Sequence, residues 1–184
     1  MRRLITALFV TFALSSAQAA TQMEELAQRM HPSDFPAQVE KLLKNDNPAQ
    51  ALELTELGLQ KNEKSAQLHF MKAVSLEQLG RTDEAVKVLR HLIGIYPEIP
   101  ESYNNLAVIE AGLGRLEDAV DLLNRALTIN PDFALARKNL GDVYLALARE
   151  AYEKAAPKLP RNKSLQKRLK ALQTLEGRPV SDAK

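Results

Sequence analysis

The stretch LGRTDEAVKVLRHLIGIYP, Leu79 to Pro97, returns 34 residues later as LGRLEDAVDLLNRALTINP, Leu113 to Pro131. A period of that length constrains the fold more than any local signal. One unit of it is a supersecondary element that cannot bury its apolar face alone, so copies must stack. Gly80 and Gly114, Ala85 and Ala119, and Pro97 and Pro131 keep the same 34-residue step. One further step back from Ala85 reaches Ala51, inside NPAQALELTELGLQ. The copies therefore read as 32–65, 66–99 and 100–133.

Each copy has the pattern of two helices. In the third, Tyr103, Leu106, Ala107 and Glu110 step at helical spacing until Gly112 and Gly114, where the chain can turn back. Leu116, Ala119, Val120, Leu122, Leu123, Ala126 and Leu127 then mark the apolar side of a second helix, which Pro131 ends. Asn47-Pro48 supplies an N-cap and a first-turn proline in the first copy. Small Ala51, Ala85 and Ala119 sit where the helices of a hairpin cross closely.

A 34-residue helix–turn–helix of this pattern resembles the tetratricopeptide repeat (TPR) family. Tyr103, Leu106, Gly114, Ala119, Ala126 and Pro131 stand at that motif's positions. The second copy keeps Gly80, Ala85 and Pro97, with His69 at the usual aromatic position and Leu92 at a usual alanine. The first keeps chiefly Phe35 and Ala51. The resemblance covers about 32–160 and implies an all-α, TPR-type α-solenoid of three to four helix–turn–helix repeats.

The fourth copy, 134–160, begins in register with Leu140, Gly141 and Tyr144, and ends in register with Tyr152, Ala155 and Pro160 only if five residues are deleted. Those five are the turn. Through the gap run Ala146, Leu147, Ala148, Arg149, Glu150 and Ala151, strong helix formers without glycine or proline. One helix from about Phe133 to Ala156 is expected. Its second half overshoots the array and exposes Leu147, Ala151, Tyr152 and Ala155. The expected cover is a basic amphipathic capping helix within 161–177, through Leu165, Leu169, Leu172 and Leu175. The alternative use of that stripe is a homodimer or partner seam.

The ends carry other signals. Arg2-Arg3, the apolar run LITALFVTFAL and Ala17-Gln18-Ala19 have the layout of a secretory leader, cleaved after Ala19. That implies export, to a periplasm first and the extracellular space second. Residues 20–31 form a short N-terminal segment or helix, and 178–184 a flexible tail. Of 25 basic and 23 acidic residues, two basic ones lie in the leader, so the remainder is balanced and does not suggest nucleic-acid binding. The balance is local, however: Lys158 to Lys184 holds eight basic residues against two acidic ones. With no cysteine, the core alone must hold the fold.

Catalytic patterns are missing. His31, His69 and His91 have no partner at motif spacing, and no HExxH, GxSxG or phosphate-loop pattern occurs. No cofactor or metal is expected. Asp83-Glu84 and Glu117-Asp118 open second helices, where acids suit the helix dipole. The resemblance implies instead a non-enzymatic scaffold that holds a peptide or partner helix in a concave groove, in envelope or secreted-protein assembly. By analogy with the motif, the groove residues are Phe70, Met71, Val74 and Glu77, then Glu101, Asn104, Asn105 and Val108, then Lys138, Asn139 and Asp142. Asparagine amides both donate to and accept from a peptide backbone. The family's carboxylate clamp for chaperone tails is not expected: only Asn105 fits it, while Phe70 and Leu135 occupy lysine positions and Asn139 the arginine position. A second reading places function at an anionic or membrane surface through Lys163, Lys167, Arg168 and Lys170.

Overall fold

The computed structural model describes residues 22–176, which are helical throughout apart from short connections. Residues 1–21, which hold the expected leader, and residues 177–184, which hold the expected tail, lie outside this range. We number the helices α1 (22–29), α2 (Phe35–Lys44), α3 (Pro48–Lys61), α4 (Ala66–Gln78), α5 (Thr82–Ile95), α6 (Pro100–Gly112), α7 (Leu116–Ile129), α8 (Ala134–Ala155) and α9 (Lys163–Glu176). The chain divides into two compact units, Met1–Ser102 and Tyr103–Lys184, with the boundary in the first turn of α6.

In the first unit α2 pairs with α3, α3 with α4, and α4 with α5. The turns explain why. Gly80 has φ 71°, a left-handed conformation that costs glycine nothing, and it lets α4 reverse into α5. The first copy has no glycine there, yet it turns in the same way: Asp46, 34 residues before Gly80, takes φ 57°. Aspartate is among the few side chains that tolerate this region. The expected cap at Asn47 is only partly realised. Asn47 precedes α3, but its amide donates to the Asn45 carbonyl (2.9 Å) and not to the helix end.

The core of this unit gathers Ala27, Phe35, Val39, Ala51, Leu54, Leu68 and Met71. Here α1 proves to be part of the packing. Met23, Leu26 and Met30 lie against the cluster, and Lys61 Nζ donates to the Ala27 carbonyl (2.5 Å) and the Met30 carbonyl (3.1 Å). A lysine from the end of α3 thus adds a donor to carbonyls at the end of α1. Its Nζ also lies 5.4 Å from the centroid of the Phe35 ring.

In the second unit α7 packs on α8 and α8 on α9. Gly114, at φ 78°, makes the α6–α7 turn. Helix α8 runs 22 residues without a break, so the residues around Ala148 are helical where a hairpin would turn. Ala136 and Val143 in its first half are buried. Asn162 caps α9 by accepting from the Leu165 N–H (3.0 Å), and Leu165 and Leu172 bury themselves while Leu175 stays exposed.

Candidate functional site

Helix α6 places Asn104 and Asn105 on adjacent residues, and α8 brings Asn139 to them. Asn139 Nδ2 donates to Asn104 Oδ1 (2.8 Å), and Asn104 Nδ2 donates to Asn105 Oδ1 (3.2 Å). The three amides form a chain with a direction. Its middle member is 2% exposed and bonded on both sides. Its ends are open: among the described residues neither Asn105 Nδ2 nor Asn139 Oδ1 has a partner. One end can therefore donate and the other accept.

Beside this chain lies an open apolar pocket of about 160 Å³, lined by Ala107, Val108, Ala111, Leu123, Asn139, Asp142 and Val143. Val108 stands 46% exposed at its edge, too much for a core valine. Asp142 is held by Lys138 Nζ (2.7 Å) one turn away, so the rim pair is neutralised. Deeper in α6, the buried Glu110 carboxylate takes a hydrogen bond from Arg115 Nε, the residue that precedes α7. That bond ties the α6–α7 turn.

The expected groove residues thus divide. Asn105, Val108, Lys138, Asn139 and Asp142 come together in the second unit, with Asn104 behind them as an internal link and not a contact. In the first unit Phe70 and Val74 are half-buried on α4 and Glu77 is exposed. Met71, expected in the groove, lies instead in the core cluster with Phe35 and Leu68. A flexible thioether fills an irregular core, and its helical step does not distinguish that from a binding face. Glu101 is exposed in the first turn of α6.

The expected seam and basic patch are also revised. Ala151 is exposed, but Tyr152 and Ala155 share a hollow with Leu159, Leu165 and Arg168, so α9 covers part of the overshooting stripe. Arg168 is exposed but held in place. Its Nη1 donates to the Tyr152 hydroxyl (2.9 Å) and its guanidinium lies 5.8 Å from that ring, so it anchors α9 on α8. His69 is half-buried, with Nε2 donating to the Glu63 carbonyl (2.8 Å) and its ring edge-on to His91 (6.1 Å). No group of three or more potential metal ligands occurs among the described residues. No described helix is long and apolar enough to cross a membrane.

Residues 66–99 match the tetratricopeptide repeat family, and residues 109–147 match its TPR repeat. The fold is a TPR-type α-solenoid. Among solved structures, a thermophilic TPR protein from Thermus thermophilus aligns at TM-score 0.61 and 22% identity, over 80% of this chain and 84% of that one. The first TPR of Spaghetti (RPAP3), bound to the HSP90 peptide SRMEEVD, aligns at TM-score 0.59 and 18% identity, over 64% and 93%. YrrB, a TPR protein with an unusual peptide-binding site, aligns at TM-score 0.56 and 24% identity, over 70% and 68%. No curated protein resembles the chain closely enough to count as a match. Helix α8 stands where a fourth repeat is expected, as one continuous helix on which α9 packs.

Proposed function

We propose that the protein is a non-catalytic interaction module, and that its second unit holds an extended peptide segment of a client protein. The observation that carries this reading is the asparagine chain with open ends beside an apolar pocket. An extended backbone presents a carbonyl and an N–H at short intervals, which the Asn105 donor and the Asn139 acceptor complement. One apolar side chain of the segment enters the pocket past Val108. The amides are already fixed by bonding to Asn104, so little ordering is left to oppose binding.

Peptide binding by solved TPR neighbours supports the class of ligand. The chemistry here differs from a site for an acidic tail. The one lysine at the rim, Lys138, is engaged by Asp142. An uncharged extended segment suits this surface better than the acidic peptide held by the Spaghetti domain. The leader signal implies an encounter outside the cytoplasm, with an envelope or secreted client. Selection from a displayed peptide library tests the reading. The protein should enrich extended sequences with a recurrent apolar residue, and Val108→Asp should lose them while keeping its helix content. Enrichment that Val108→Asp leaves unchanged would place binding elsewhere.

A further inference from the structure

From Lys158 to Leu175 the chain carries six basic residues and no acid. Arg168 is taken by Tyr152. The other five, Lys158, Arg161, Lys163, Lys167 and Lys170, are exposed, and among the described residues none has an ion-pair partner. Elsewhere cations are paired, Lys44 with Glu40, Lys72 with Glu56, Arg81 with Glu84, Arg115 with Glu110, Lys138 with Asp142 and Lys154 with Glu150, and unpaired ones, such as Lys41 and Lys64, are scattered among acids along the sequence.

The fold does not account for this charge. Helices α5 and α7 open with Asp83-Glu84 and Glu117-Asp118, as the helix dipole favours. Helix α9 opens with Lys163, directly after Arg161 and the cap Asn162, so cations crowd the end that repels them. The leucines of α9 need no help from them. Leu165 and Leu172 are buried on the far side, with Leu169 half-buried. Lys163, Lys167 and Lys170 fall within an arc of about 60° on a helix, along about 10 Å of its length.

We propose that this outward face of α9 adheres to an anionic lipid surface by charge alone. The apolar side of the helix is spent on α8, so α9 cannot sink between acyl chains as an interfacial helix does. What remains is a line of lysines on flexible stems, flanked by exposed Leu159 and Leu175. It has no acid and no aromatic side chain to fix register, which a particular protein partner would need. A layer of mobile anionic headgroups needs no register, and clusters of four to eight cations adhere to it.

The test compares the full chain with Lys163→Gln/Lys167→Gln/Lys170→Gln and with the control Lys41→Gln/Lys64→Gln/Lys87→Gln. Vesicles of phosphatidylcholine alone and of phosphatidylcholine with phosphatidylglycerol are sedimented at low and high ionic strength. The wild type and the control should prefer the anionic vesicles at low salt and lose the preference at high salt. The triple variant should lose about 100-fold of that preference, since each lysine near such a surface is worth roughly a five-fold effect. Its helix content should hold, because the change relieves α9 of a charge at its N-terminus. Absence of the preference, or its survival in the triple variant, would overturn the proposal. So would a result in which the triple variant alters only a salt-sensitive self-association, which would assign the face to a second copy of the chain.

Discussion

Gly58 and Gly141 are both interior helix glycines, and their surroundings give substitution opposite signs. Alanine is the better helix former at either position by about 1 kcal/mol. At Gly141 a Cβ would meet nothing within 4 Å, so Gly141→Ala should stabilise by up to that amount. At Gly58 it would lie 2.7 Å from Phe35 Cδ1 and 3.0 Å from Leu68 Cδ1, inside the core. Overpacking of that kind costs about 1–3 kcal/mol, so Gly58→Ala should be net destabilising in urea unfolding. Glu53 makes a pH-dependent contribution. Burial, then the charge of Glu24, raises its carboxyl above the ordinary 4.5. The folded chain therefore binds more protons than the unfolded one between 4.5 and the raised value, and stability falls as pH rises through that window. Glu53→Gln should gain stability over the wild type at about pH 7 and none at about pH 3. Little of this was legible beforehand. Asp46 shows why: the repeat requires a left-handed turn residue there, and an aspartate, unlike a glycine, does not announce one in sequence. Arg168 is a second case, since its hydrogen bond to the Tyr152 hydroxyl, 16 positions back on another helix, has no local signal in the sequence.

At the level of elements the repeat told much more. A five-residue deletion removes a turn, and helix formers across the gap leave a rod, which α8 is over its 22 residues. Ala148→Gly/Arg149→Gly should cost about 2 kcal/mol of helix propensity and reduce helix content by circular dichroism, with α9 released as its platform breaks. Unchanged content would mean that the rod is not held by these residues. The N-terminal segment was less legible because what holds α1 is distant in sequence. Lys61 bonds the Ala27 and Met30 carbonyls from 34 and 31 positions away, a contact that no local pattern announces. The apolar stripe of α9 was readable by its spacing, but only the fold shows that Leu175 stays outside.

For the whole molecule, the 34-residue period carried the TPR fold, while the site came through only in part. The resemblance to the TPR motif placed Asn104, Asn105, Val108, Asn139 and Asp142 in one expected groove. It could not separate the buried link Asn104 from the contacts Asn105 and Asn139, nor the core residue Met71 from a groove residue. Those distinctions depend on what neighbouring helices cover. If the open ends of the asparagine chain bind a peptide backbone, Asn105→Asp should weaken that binding most directly. The aspartate keeps an oxygen to accept from Asn104 Nδ2 and puts a charged carboxylate oxygen, which repels a bound carbonyl, in place of the outward donor. The measurement is the affinity of a library-selected peptide for the wild type and for this variant, with unfolding curves alongside. Affinity should fall about ten-fold or more with stability little changed, as expected when a bound backbone carbonyl is left without its donor. Equal affinity, with both proteins folded, would contradict it.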